Sequence, residues 1–178
     1  MKFSLLVKVL VFTLSFVPAI SLADDGSLGA SSTGEFEISV EVPALVQVSN
    51  LEDLNFGTFV PDEKGALILD DNFCIYRNSS AGLYSITANS PEGGFNLKNG
   101  SESVPYEVFF NNETGTTSNT QLSYNTQLAS QTGANSTSPD CSTGGFSANI
   151  QIRIPTTNLK QVPAGNYQGN LILNVEPA

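Results

Sequence analysis

Histidine and tryptophan are absent from this 178-residue chain, methionine occurs once and cysteine twice. Without His there is no imidazole for a general base, for a Ser–His or Cys–His nucleophile pair, or for most zinc and iron sites. Basic residues are scarce too: Lys and Arg total 7 against 17 Asp and Glu, a formal charge of −10. Such a surface repels phosphate, which argues against nucleic acid or an anionic membrane as a partner. Charged residues make up only 13% of the chain and hydrophobic ones 40%, so this is not a charge-rich disordered chain. No window sustains a period of 3.6, which argues against a helical protein. What is present in quantity is Gly (15), Pro (9), Ser, Thr and Asn, the composition of a turn-rich β protein.

Residues 1–23 read as a secretory signal. Lys2 and Lys8 give the positive start, and Leu5 to Ile20 form an apolar run broken only by Lys8, Thr13, Ser15 and Pro18. Ser21 and Ala23 put small residues where a signal peptidase looks, so cleavage is expected between Ala23 and Asp24. The clean apolar stretch after Lys8 is shorter than the roughly 20 residues that cross a bilayer. The chain is therefore expected to leave the cytoplasm as one acidic domain. Cys74 and Cys141 allow a single intramolecular pairing. An oxidising compartment favours that disulfide over two unpaired thiols, one of them packed in the core.

Alternation with period two recurs from end to end. Phe36, Ile38, Val40 and Val42 share one face of Gly34–Val42, and Glu35, Glu37, Ser39 and Glu41 the other. Further strands are expected at Leu45–Val48, Leu54–Phe59, Ala66–Leu69, Phe73–Tyr76, Leu83–Asn89, Pro105–Asn111, Ala148–Ile154 and Tyr167–Val175. Asp70, Asp71 and Asn72 read as a turn between two of them. About eight short strands separated by turn signals indicate a sandwich. Residues 111–145 differ, being mostly Ser, Thr, Asn, Gln and Gly, and read as a solvated excursion tied down by Cys141. Within it, Asn119-Thr120-Gln121-Leu122 is echoed by Asn125-Thr126-Gln127-Leu128, as two arms of a weak hairpin would be.

Little of this carries chemistry. Asp70-Asp71-Asn72 and Asp24-Asp25-Gly26 have oxygen ligands suited to calcium but lack the spaced series of an EF-hand loop, so no metal site is assigned. No pair of carboxylates is singled out as a glycosidase would need. Four Asn-x-Ser/Thr sequences, at Asn78, Asn99, Asn112 and Asn135, are chance matches in so polar a chain. No enzyme and no cofactor is expected. Gly34–Val42 is the informative segment, and its pattern leaves two roles open. It is either the first strand of its own sandwich or a strand offered to a groove elsewhere. In a groove, its four apolar side chains would contribute on the order of 6–12 kcal/mol.

Short motifs follow one another in a familiar order. Thr33-Gly34-Glu35-Phe36-Glu37-Ile38-Ser39-Val40 precedes Leu54-Asn55-Phe56-Gly57-Thr58-Phe59. The Cys74 strand then leads to Leu83-Tyr84-Ser85-Ile86-Thr87-Ala88, Phe95-Asn96-Leu97 and Tyr106-Glu107-Val108. The series closes on Val162-Pro163-Ala164-Gly165-Asn166-Tyr167-Gln168-Gly169-Asn170-Leu171. In these motifs the chain resembles pilus subunits of the chaperone–usher pathway, of the spore coat protein U-like or archaic type. Two features depart from that pattern: no Cys stands near Ala44–Val46, and the chain ends Val175-Glu176-Pro177-Ala178 without an aromatic residue.

The resemblance implies an immunoglobulin-like β-sandwich that lacks its last strand and is completed by a donor strand. It implies a signal peptide over 1–23, an N-terminal extension carrying the donor strand over 24–43 and a pilin domain over 44–178. Phe36, Ile38, Val40 and Val42 would be the donor's inward residues. Leu54, Phe56, Leu171, Leu173 and Val175 would wall the acceptor groove. The implied partners are neighbouring pilin subunits, a periplasmic chaperone and an outer-membrane usher, with no nucleic acid. The implied role is structural, in a surface fimbria that supports adhesion and biofilm. The alternative is a secreted carbohydrate-binding β-sandwich or a minor tip adhesin, with tyrosines such as Tyr124 stacking on sugar.

Overall fold

A computed structural model describes residues 23–79 and 82–178; residues 1–22 of the expected signal segment lie outside them. The chain divides into an N-terminal unit ending at Val42 and a second unit from Pro43 to Ala178. In the first unit, Asp24 and Glu35 exchange two backbone hydrogen bonds of 2.9 and 3.0 Å. Residues 36–42 belong to no strand. The sequence predicts a strand over Gly34–Val42, but extended backbone needs a ladder partner for its N–H and C=O groups. Phe36, Ile38, Val40 and Val42 are accordingly 72–88% exposed.

The second unit is an antiparallel β-sandwich. Its strands are β1 (Val46–Ser49), β2 (Ala66–Arg77), β3 (Tyr84–Asn89), β4 (Asn96–Asn99) and β5 (Glu102–Pro105). They continue with β6 (Glu107–Asn111), β7 (Thr120–Gln121), β8 (Gln127–Gln131), β9 (Ala148–Pro155) and β10 (Ile172–Pro177). A single helical turn, Thr156–Leu159, follows β9. One sheet has the order β1-β2-β9-β6-β7 and the other β10-β3-β8, while β4 and β5 form a separate hairpin.

Period-two alternation produces the core directly. Ala148, Ile150, Ile152 and Ile154 of β9 are all buried, beside Val108 and Phe110 of β6. Val108 stands opposite Ile152 and Phe110 opposite Ile150. From the second sheet come Tyr84, Ile86 and Ala88 of β3, each 0% exposed. Phe73 and Phe110 meet with ring centroids 6.5 Å apart.

Three expectations are corrected. Asp70, Asp71 and Asn72 are not a turn, because β2 runs unbroken for 12 residues. Neighbours satisfy their polar side chains: Asn149 Nδ2 donates to Asp70 Oδ2 and Asn72 Oδ1, each at 2.9 Å, and the Glu52 N–H donates to Asp71 Oδ2 at 2.9 Å. The Asn-Thr-Gln-Leu echo is not a hairpin. Its first arm pairs with β6 and its second with β3, so the two lie in different sheets. No strand forms over Leu54–Phe59 either. Asn55 Oδ1 accepts the Gly57 N–H at 2.9 Å, an Asx turn, and Gly57 sits at φ 69°, a conformation that interrupts extended backbone.

The buried tyrosines set an alkaline limit to stability. Burial pushes the Tyr106 hydroxyl from its usual 10 up to about 12, with the nearby Glu92 carboxylate adding to the rise and the Ser90 hydroxyl opposing it. Burial raises Tyr84 further still. A raised folded-state pKa leaves its stabilisation intact below pH 10 and removes it as pH climbs towards 12 and beyond. The urea midpoint is therefore expected to hold steady up to about pH 9.5 and fall steeply above 10. Tyr106→Phe should make that fall shallower; an unchanged slope would contradict the assignment.

Candidate functional site

Among the described residues, each sheet of the sandwich ends in a strand with one unpaired edge: β1 pairs only with β2, and β10 only with β3. These two edges are neighbours. Their Cα atoms approach within 8 Å, yet no ladder joins them. A strand hydrogen-bonded to both would need them roughly 9.5 Å apart, twice the spacing of paired strands. The gap is therefore partly closed where the strands approach most nearly. A third strand would have to move β1 or β10 outward.

Apolar side chains on and next to these two strands rest on the core. On β1, Val48 stands opposite the buried Ile75 and packs against the core while remaining partly exposed. On β10, Leu173 stands opposite Ala88 and Val175 opposite Ile86. Leu171, just before that strand, joins them against the core, as do Leu54 and Phe56 from the segment after β1. All five residues expected to wall an acceptor groove thus belong to one class, half-buried and resting on the core. The side chains between them, Asn174 and Glu176, face solvent. Leu45, Leu51 and Ile172, 46–53% exposed, add apolar surface nearby in sequence.

Cys74 and Cys141 form a disulfide with their Cα atoms 5.7 Å apart. Ser49, the last residue of β1, lies opposite Cys74 in the ladder. Sequence reasoning missed what surrounds this bridge. Residues 111–145 are not wholly solvated: Leu122 enters the core, and Asn135 is buried as a hydrogen-bonding hub. The available signal was Asn135-Ser136-Thr137, an Asn followed by small polar residues that favour a side-chain-capped turn.

A buried cation, Arg77, stands opposite Val46 and donates from Nη1 to the Leu83 carbonyl. Among the described residues the one ion pair, Arg153 with Glu107 at 3.5 Å, joins exposed positions on β9 and β6 away from β1 and β10. No group of His, Cys, Asp or Glu among the described residues is arranged to hold a metal ion. The arrangement offers two strands with unpaired edges whose inward side chains are apolar.

No family model and no curated protein matches this sequence. Among the solved structures similar to it are two of tip adhesins. One is a chaperone–tip adhesin complex of CFA/I fimbriae, with 15% identity over 76% of this chain and 42% of that one, at a TM-score of 0.48. The other is the CupB6 tip adhesin from Pseudomonas aeruginosa, with 15% identity over 76% of this chain and 41% of that one, at a TM-score of 0.32. The chain spans less than half the length of either.

Proposed function

We propose that this chain is a structural subunit of a surface pilus, assembled by donor-strand exchange. The observation that carries this reading is the neighbouring pair β1 and β10, each with an unpaired edge and with half-buried apolar side chains that rest on the core. Unpaired strand edges attract further strands, and proteins normally blunt or cover them. A strand added between β1 and β10 would satisfy backbone groups on both sides and bury its inward side chains. The N-terminal unit supplies a sequence of that kind. Phe36, Ile38, Val40 and Val42 alternate with polar residues and stand almost fully exposed. Nine residues at about 3.3 Å each reach roughly 30 Å, enough to run the length of a sandwich.

In this reading residues 24–43 are the donor extension and 44–178 the acceptor domain. Export follows cleavage between Ala23 and Asp24. A periplasmic chaperone holds the groove until the next subunit's extension replaces it at an outer-membrane usher. The fibre supports adhesion and biofilm, and the subunit needs no cofactor and performs no catalysis.

The decisive experiment moves residues 34–42 behind Ala178 through a flexible Gly/Ser linker, so that each molecule fills its own groove. This self-filled variant should be monomeric, and it should melt well above a parent from which residues 34–42 are deleted. Equal melting temperatures for the two would overturn the proposal.

A further inference from the structure

We infer that the loop over residues 132–147 is a clasp that fixes the position of β1 at the rim of the groove, which makes Ser49 and Asn50 positioning residues for an incoming strand. The inference rests on the strand-acceptance reading above. It follows from how the loop is anchored on both sides of β2.

The first anchor is Asn135. Its N–H donates to the Ile75 carbonyl and its carbonyl accepts the Arg77 N–H, both at 2.8 Å, as a short parallel bridge to β2. Backbone groups of successive residues point to opposite edges, so this bridge occupies the edge of β2 that β1 does not use. The Asn135 side chain then ties the loop to itself. Nδ2 donates to the Thr143 and Gly145 carbonyls at 2.8 and 3.0 Å, and Oδ1 accepts the Thr137 and Ser138 N–H groups at 2.7 and 3.1 Å. The second anchor is the disulfide, which fastens Cys141 to β2 at Cys74.

Having crossed β2, the loop reaches the end of β1. Ser49 Oγ donates to the Pro139 carbonyl at 2.9 Å, and Asn50 Nδ2 donates to the Asp140 carbonyl at 2.6 Å. Asn50 has φ 60°, the left-handed conformation that turns the chain away from the strand and aims its amide at the loop. β1 is only four residues long and pairs on one side, so its own ladder holds it weakly. The Asn78 side chain moors the start of the strand, through the Leu45 N–H and the Pro43 carbonyl, and the bonds from Ser49 and Asn50 moor its end. An incoming strand reads β1 as a template, and a template that frays offers no fixed register.

The test uses the full chain carrying Ile38→Asp, which cannot donate its own segment, as the parent protein, with a fluorescent peptide of residues 33–43 as the probe. Ser49→Ala combined with Asn50→Gly should weaken peptide binding about tenfold, since two hydrogen bonds of ordinary strength are lost. Gly keeps the left-handed backbone, so the double variant removes the bonds without straining the turn. Amide hydrogen exchange should rise over Val46–Ser49 and stay unchanged in β6 and β9, a pattern that general destabilisation would not give. Ser49→Thr, which keeps the hydroxyl, should bind like the parent. Unchanged affinity together with unchanged exchange over β1 would overturn the clasp, as would exchange that rises equally in β6 and β9. If the parent fails to bind the peptide, or binds an Ile38→Asp peptide equally well, strand acceptance itself is wrong. Exchange over β1 then still decides whether the clasp exists.

Discussion

A chain carrying Ile38→Asp is expected to remain monomeric under conditions where the parent forms detergent-resistant polymers. Ile38 is 82% exposed in the N-terminal unit, so the substitution leaves the rest of the chain undisturbed. Its effect arises only when the segment enters a groove. There an aspartate would replace an apolar contact of about 1.5–3 kcal/mol and bring a carboxylate into an apolar slot without a partner. Deletion of residues 34–42 should have the same outcome by removing the whole stripe. Glu37→Gln provides the contrast, because Glu37 lies on the face that stays wet and its loss should change little. Denaturing gels without boiling, alongside size-exclusion chromatography, separate the cases. Polymers from the Ile38→Asp chain or from the deletion would mean that Gly34–Val42 donates nothing.

Phe110→Ala should be the most damaging change in the core. Phe110 is 1% exposed, meets Phe73 at 6.5 Å and stands opposite Ile150 in the ladder. Truncating such a ring costs about 3–5 kcal/mol, against a total stability of roughly 5–15 kcal/mol for an ordinary domain. A sandwich with an unfilled groove starts from the low end of that range. The substitution should therefore leave the deletion lacking residues 34–42 unfolded. In the variant that fills its own groove it should only lower the melting temperature, on the order of 10 °C. Circular dichroism melts of both proteins read the difference. A folded Phe110→Ala deletion would show that the groove contributes far less than its apolar walls suggest.

The strands that were legible in the sequence are those with one buried face. Ala148 to Ile154 alternates cleanly because β9 lies in mid-sheet, with polar residues on its outer side. Leu173 and Val175 were legible although β10 is an edge strand, because their side chains rest on the core while Asn174 and Glu176 face solvent. β2 was read as two pieces because Asp70-Asp71-Asn72 has turn chemistry, and only its neighbours Asn149 and Glu52 make it a strand. Nothing local in the sequence announces those neighbours, which lie as many as 79 residues away. The candidate site was half legible. The half-buried apolar side chains of β1 and β10 follow from alternation, and the pairing of Cys74 with Cys141 from their number. The mooring of the end of β1 depends on backbone carbonyls at Pro139 and Asp140, which no side-chain pattern can reveal.

The bridge between Cys74 and Cys141 also determines how much of this molecule a pulling force can reach. Load applied between Pro43 and Ala178 passes through the disulfide and bypasses everything between its two ends. The bridged residues are 67 positions apart, which at about 3.5 Å per residue is roughly 230 Å of chain that cannot be drawn out. β3, β6 and β8 all lie within that sheltered length, and with them most of the second sheet. Under tension such a subunit would be drawn out only at its margins, β1, the front of β2, β9 and β10. The residues between the cysteines would stay a closed, unextended loop, held close to the strands they must pair with when the load is released.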